Sequence, residues 1–251
     1  MPRSQKTATM AEACLFIDMP LQRANAEGAA GADGHRARMR QRLLKAGPDA
    51  LVDHEMLEMI LFLALPRRDT TPIARELLTR FRNFGGVIGA PVAELLAIEG
   101  LGEAGTASLK LVQAAAVRLM RHEIEQKPLL QTWDRLQDYV MAAMSHERVE
   151  QFRVLFFDTR NRLIADEIQG LGTLSETPAY PREVVRRCLE LHAASVVLAH
   201  NHPSGEPQPS REDITLTAQI GKAAATMGIK VHDHIIVGKG RCFSFKRENL
   251  L

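Results

Sequence analysis

The apolar residues of this chain recur at helical spacing up to about Glu125 and at strand spacing soon afterwards, and this single change of period constrains the fold most. A helical stripe and an alternating strand cannot share one layer, so an all-helical part must be followed by a mixed one. In "DHEMLEMILFLAL" the residues Met56, Leu57, Ile60, Leu61 and Ala64 fall on one stripe, and "TTPIARELLTRF" repeats it with Ile73, Leu77 and Phe81. Asp53 is placed to cap the first of these helices, with Glu55 in its first turn. Beyond "EIEQKPLL", the runs 151–158 and 162–168 read as strands joined through the polar "TRN". Pro181 then opens a helix with Val184, Cys188 and Leu191 on one face. "SVVLAH" fits a short buried strand ending at His200. A helix capped by Ser210 should follow and stop at Gly228, before a last strand pair in "IKVHDHIIVG" and "RCFSF". The expected organisation is a mobile tail over 1–34, a helical domain over 35–125 and an α/β domain over 129–251.

Composition narrows the classes. With 251 residues, 45% of them hydrophobic, the chain can fill two small cores. A net charge of +2 carries no global signature for nucleic acid or membrane, so any partner must be recognised locally. Cys14, Cys188 and Cys242 are few, odd in number and far apart, which argues against a disulfide framework and for a reducing compartment. The apolar cluster from Cys14 to Ile17 is short and lies between Glu12 and Asp18, which fits neither a signal peptide nor a membrane span. These features predict a cytoplasmic protein with no membrane partner.

Chemistry concentrates in "AHNHPSGEPQPSRED", residues 199–213. His200 falls at a strand end, His202 in the following loop and Asp213 in the first turn of the next helix. Pro203, Gly205, Pro207 and Pro209 suit a loop that folds back and brings the three together. Two neutral imidazoles and a carboxylate are a common ligand set for catalytic zinc, which leaves a fourth position for water. The plainer reading makes the histidines polar loop residues and leaves Asp213 to favour the positive end of its helix. His232 and His234 form a second His-x-His on an alternating strand that should place both rings on one face. No acid follows them at a useful spacing, so core packing or support of the site is expected.

His-x-His-Pro followed by Ser-x-x-Asp resembles the signature of the JAMM (MPN) metalloprotease family, carried here by His200, His202, Pro203, Ser210 and Asp213. Residues 129–251, through "AHNHPSGEPQPSRED" and "DHIIVGKGRCFSF", resemble the JAMM domain of bacterial RadC-type proteins. The resemblance implies a curved mixed sheet flanked by helices, of cytidine-deaminase-like architecture. It also implies a zinc ion held by His200, His202 and Asp213, and hydrolysis of a peptide or isopeptide bond in a peptide or protein substrate. A true deaminase would need His-x-Glu and Pro-Cys-x-x-Cys, and the chain has neither. The family's glutamate base maps onto Glu150 in "EQFRVLFFD", and its serine onto Ser210, which could donate to a developing oxyanion. Glu150 reads equally well as a solvated residue at a strand start, and Glu167 and Glu176 are rival bases. Ser210 can equally be only a helix cap, and Ser204 reads as a turn residue. Asp233 and His234 match the family's "DHII", which allows them a supporting role.

In the helical part, "IEGLGEAGTASLK" (98–110) sets Gly-Leu-Gly between two helical runs. It resembles a helix-hairpin-helix DNA-binding element, whose turn offers backbone amides to a phosphate. Residues 35–125 as a whole resemble the N-terminal domain of RadC-type proteins. Related hairpins carry a lysine where this chain has Gly105, and the span holds 13 Lys/Arg against 11 Asp/Glu, a thin electrostatic footprint. "HRARMRQRLLK" is a local exception, with Arg36, Arg38, Arg40, Arg42 and Lys45 and no acid, although helical spacing spreads these around the cylinder. Two functions of different class therefore stand. One is a zinc-dependent hydrolase; the other is a DNA repair or recombination accessory protein that uses the same fold to bind zinc or a partner without proteolysis.

Overall fold

The computed structural model describes residues 32–172 and 179–251. Cys14, Glu176 and nearly all of the expected tail lie outside the described residues. The helical region runs through α1 (Ala32–Ala46), α2 (Asp53–Ala64), α3 (Thr71–Phe81), α4 (Phe84–Gly89), α5 (Val92–Leu96) and the long α6 (Gly102–Glu125). The first helix thus starts ahead of His35. Leu57 and Leu61 of the α2 stripe pack with Ile73 and Leu77 of α3, and with Leu95 and Leu109, in one apolar cluster. Burying these side chains removes apolar surface from water and is what holds such short helices in place.

One cap differs from expectation. Asp53 is already inside α2, and the N-cap is Val52, which has no side-chain acceptor. Glu55 reaches back instead to accept the Val52 N–H at 3.2 Å, while Asp53 accepts the Phe84 N–H at the head of α4, also at 3.2 Å. Asp53 therefore ties two helices together rather than closing its own.

The C-terminal region comprises α7 (Trp133–Met144), β1 (Gln151–Phe157), β2 (Leu163–Leu171), α8 (Pro181–Glu190), β3 (Ser195–Asn201), α9 (Arg211–Thr226), β4 (Lys230–Val237) and β5 (Cys242–Ser244). The strands form one sheet in the order β2-β1-β3-β4-β5, with β3 and β4 parallel and the other neighbours antiparallel. Asp158 closes the β1–β2 turn by accepting from the Arg160 and Arg162 N–H groups. Helices α8 and α9 cover one face of the sheet, where Val184, Cys188, Ile220 and Ala224 meet Val196 and Leu198. Helix α7 covers the other, where Tyr139, Val140 and Met144 meet Val197 and Ala199. This is the mixed sheet flanked by helices that the sequence predicts.

Helix α6 belongs to both regions. Leu109 lies in the helical cluster, whereas Ile124 is buried in the sheet's cluster with Val117 and Met120 packed against it. No helix among the described residues is long and apolar enough to cross a membrane.

Candidate metal centre

The parallel pair β3 and β4 end side by side, and the loops leaving their carboxyl ends carry the site, as open α/β sheets favour. β3 is buried along its whole length and delivers His200 on the face covered by α9. The loop beyond it is anchored by the His202 N–H donating to the Val237 carbonyl at 2.9 Å. Gly205 (φ 90°) turns this loop back, and the Lys239 N–H donates to its carbonyl at 3.0 Å. A Cβ on Gly238 would sit 2.4 Å from that same carbonyl, so only glycine lets the two loops approach so closely. Ser210 then caps α9 and sets Asp213 in its first turn.

Counting protons shows what the site asks for. Thr217 can supply the only hydrogen between its Oγ1 and the Asp213 carbonyl, 2.6 Å away. The His234 Nδ1, also 2.6 Å from Thr217 Oγ1, must therefore donate to that oxygen. Burial holds the His234 pKa well below the ordinary imidazole value, so the ring is neutral and its Nε2 is bare. His200 Nδ1 donates to that Nε2 at 2.8 Å. His202 Nδ1 can only donate to the Glu206 carbonyl, also at 2.8 Å.

The Nε2 atoms of His200 and His202 face one another, 2.9 Å apart, with Asp213 Oδ1 at 3.2 Å from the first and Oδ2 at 3.5 Å from the second. Two imidazole nitrogens and a carboxylate converging on one point fit a metal cation, which would take both nitrogens unprotonated while the Nδ1 of each ring keeps its hydrogen-bond partner. Asp213 responds accordingly. Burial pushes its carboxyl up, but the hydrogen bonds from His200 and His202 outweigh burial and hold it far below the usual carboxylate range. His202 is raised, chiefly by its bond to Asp213, against burial and with help from the Glu206 carbonyl and the charges of Asp213 and Glu150.

Glu150 stands at the mouth. A cleft of about 610 Å³ is lined by Arg148, Glu150, Gly172, His202 and Pro203, among others. The backbone around Glu150 is held by Asn201, the residue between the two histidines. Its side-chain oxygen accepts the Gln151 N–H at 2.9 Å, and its amide donates to the Glu147 and Val149 carbonyls at 3.2 Å each.

Comparison with known proteins places this arrangement. Residues 130–250 match the sequence model of the RadC-like JAB domain, and residues 34–107 match that of the UPF0758 N-terminal region. The chain is 53% identical over 213 residues to a UPF0758 protein of Rhodobacter capsulatus, an alignment spanning 85% of this chain and 100% of that one. The chain belongs to the UPF0758 family. A second UPF0758 protein, from Ruegeria pomeroyi, is 46% identical over 217 residues, covering 86% of this chain and 97% of the relative.

In this UPF0758 family member the remaining candidates fall in different places. Glu167 is held bidentately by Arg187, at 2.8 and 2.6 Å, and the guanidinium keeps its carboxyl below the usual range, so it is spoken for as an ion-pair partner. The Ser210 hydroxyl accepts the Asp213 N–H at 3.0 Å and donates to Asp213 Oδ2 at 2.7 Å, which commits its only proton to the cap. Ser204 accepts the Glu206 N–H within its turn. His232 and His234 do not share a face. The β3–β4 register shifts between Val196 and Val197, which leaves His232 unpaired on β4, with its ring hydrogen-bonded to Asn161 and set edge-on to Phe157. Asp233 is buried and pins the C-terminal turn through the Ser244 hydroxyl and the Lys246 N–H.

In the helical region, Gly105 and two of the basic residues take part in packing and ion pairs. Gly105 is buried, and a Cβ there would meet Leu101 at 2.5 Å, so this position faces the core, where a lysine could not reach a phosphate. Arg36 is buried with its guanidinium on the carbonyls of Leu65, Pro66 and Arg68, and Arg42 pairs with Glu55. Gly100 (φ 81°) and Gly102 (φ 59°) do form the expected tight turn.

Asn201, Thr217 and His234 support the candidate site residues through hydrogen bonds, and sequence reasoning missed them or left them open. Thr217 carried a signal, because it lies four residues after Asp213 and so on the same helical face.

Proposed function

We propose that this protein is a zinc-dependent hydrolase of peptide or isopeptide bonds. The observation that supports it most is the convergence of the His200 and His202 Nε2 atoms on the Asp213 carboxylate, while the Nδ1 of each ring is held by a partner of its own. Zinc held by these three residues would supply a Lewis acid for a scissile carbonyl and would acidify water beside it. The chain supplies the remainder. Glu150, at the rim of the same cleft as His202, is the group that takes a proton on its carboxylate and returns it to the leaving amine. Asn201 fixes the backbone on both sides of that glutamate. Thr217 and His234 orient the His200 ring through its Nδ1.

Metal analysis of protein purified without chelator, combined with cleavage of a proteome-derived peptide library, tests this. Wild type should hold zinc and cut peptides, and His202→Ala should lose both. Glu150→Gln should keep zinc and lose about 10²- to 10⁴-fold in rate. Absence of metal from wild type ends the reading at its first step. Among the described residues, none of the observations favours the accessory role on DNA over hydrolysis.

A further inference from the structure

The cleft at the metal centre does not end there. Its walls Arg148 and Pro203 also line a larger crevice of about 1190 Å³ that runs between the helical region and α7 with the loops after α7, β3 and β4. Arg82, Gly86 and Glu94 border it on the helical side, and Met141, His146 and Lys239 on the other. Pro203 follows the candidate ligand His202, and Arg148 lies two residues before Glu150, so the two spaces adjoin beside the candidate site. We propose that a polypeptide substrate lies along this crevice, so that the helical region reads the chain on one side of the bond to be cut. This inference rests on the hydrolase reading.

The shape and lining select the occupant. Small-molecule sites run to about 300–1,000 Å³, whereas this space is larger. Of the two long polymers, nucleic acid calls for a clear excess of positive charge. Here Arg82, Arg148 and Lys239 are matched by Glu94, Asp138 and Glu147, with Phe81, Met120 and Met141 between them. Mixed charge on an apolar floor suits side chains of several kinds, as an extended polypeptide presents.

The rim is also held in an unusual conformation. Arg82 has φ 76° and ψ −39°, and the Asn83 N–H closes a three-residue turn onto the Phe81 carbonyl at 3.0 Å. Gly86 packs on that same carbonyl, where a Cβ would fall at 2.2 Å. A glycine would adopt the Arg82 backbone without strain, yet the position carries a long cation at the edge of the crevice. The Arg148–Glu94 ion pair joins the two walls beside the metal cleft.

The test uses the full chain with a tryptic digest of denatured casein carrying a benzophenone label. Photo-crosslinks to zinc-loaded Glu150→Gln protein are mapped by mass spectrometry, and casein cleavage is followed with wild type. Crosslinks should concentrate on residues 81–94 and 141–148. Ala142→Trp, which fills the crevice, should lower crosslinking and cleavage at least tenfold with zinc content unchanged. Arg82→Glu, an exposed change that spares the core, should shift the preferred peptides away from acidic sequences, and it serves if Ala142→Trp does not fold. Crosslinks confined to other surfaces, or unchanged cleavage by both variants, overturn the crevice while leaving the hydrolase intact. Crosslinks in the crevice with no cleavage by wild type would overturn the hydrolase and keep the binding site.

Discussion

His234 never reaches the point where the ligands converge, yet its Nε2 holds the Nδ1 of His200 at 2.8 Å and so orients that ring. His234→Ala should weaken zinc binding about tenfold to a hundredfold in a chelator competition, as loss of such partners does elsewhere. Unchanged affinity would remove the relay from the account. Ser210→Ala separates a cap from an oxyanion donor. We expect a loss of about 1 kcal/mol in a denaturant titration with peptide cleavage retained. A fall of about 10²-fold or more in rate would restore the oxyanion role. pH adds a further check. The His202 pKa is raised in the folded chain, so without metal its pairing with Asp213 stabilises below the unfolded histidine value and is lost as pH rises through the raised one. Asp213 is depressed, so its contribution is present above the unfolded carboxylate value and is lost as pH falls towards the depressed one. Zinc competes with the proton on His202, so the rise in Tm on adding zinc should be larger at about pH 8 than at about pH 5.5. The three converging residues were legible in the sequence because they lie on one strand end, the loop after it and the following helix turn. His234 and Asn201 act through pairing between distant segments, and no local spacing encodes that.

At the scale of elements, periodicity placed the helices and strands well, because burial of one face is what each pattern records. It failed where an element's end is fixed by a neighbour. Asp53 looked like a cap until α4 brought the Phe84 N–H to it, and the shift that parts His232 from His234 depends on β3. The start of α6 is a third case. Gly105 looked like a missing phosphate contact, and the structure makes it a packing position against Leu101. Gly105→Lys should therefore cost about 1–3 kcal/mol by overpacking, read from urea unfolding, and should confer no DNA binding across a salt series. A tight, salt-dependent complex with DNA would reinstate the hairpin.

For the molecule as a whole, contacts besides α6 tie the regions together among the described residues. His146 fills the space over Gly89, where a Cβ would come within 2.1 Å of its ring, and Arg148 pairs with Glu94. Both lie on the stretch leading to Glu150. Gly89→Ala should push that stretch aside, lowering cleavage while zinc content stays unchanged. Trp133, the chain's single tryptophan, packs against the sheet's cluster, and far-UV circular dichroism is dominated by helices in both regions. The two signals should report one coincident unfolding transition, and Ile124→Ala should shift both by about 2–5 kcal/mol. Separate transitions would mean that the regions fold independently. The sequence showed two kinds of layer but not their joint, because the period of α6 continues unbroken while its buried face passes from one core to the other. A genetic crossover within that helix would part Leu109 from Ile124 and leave each product with an apolar face uncovered, so the two regions are bound to be inherited as one unit.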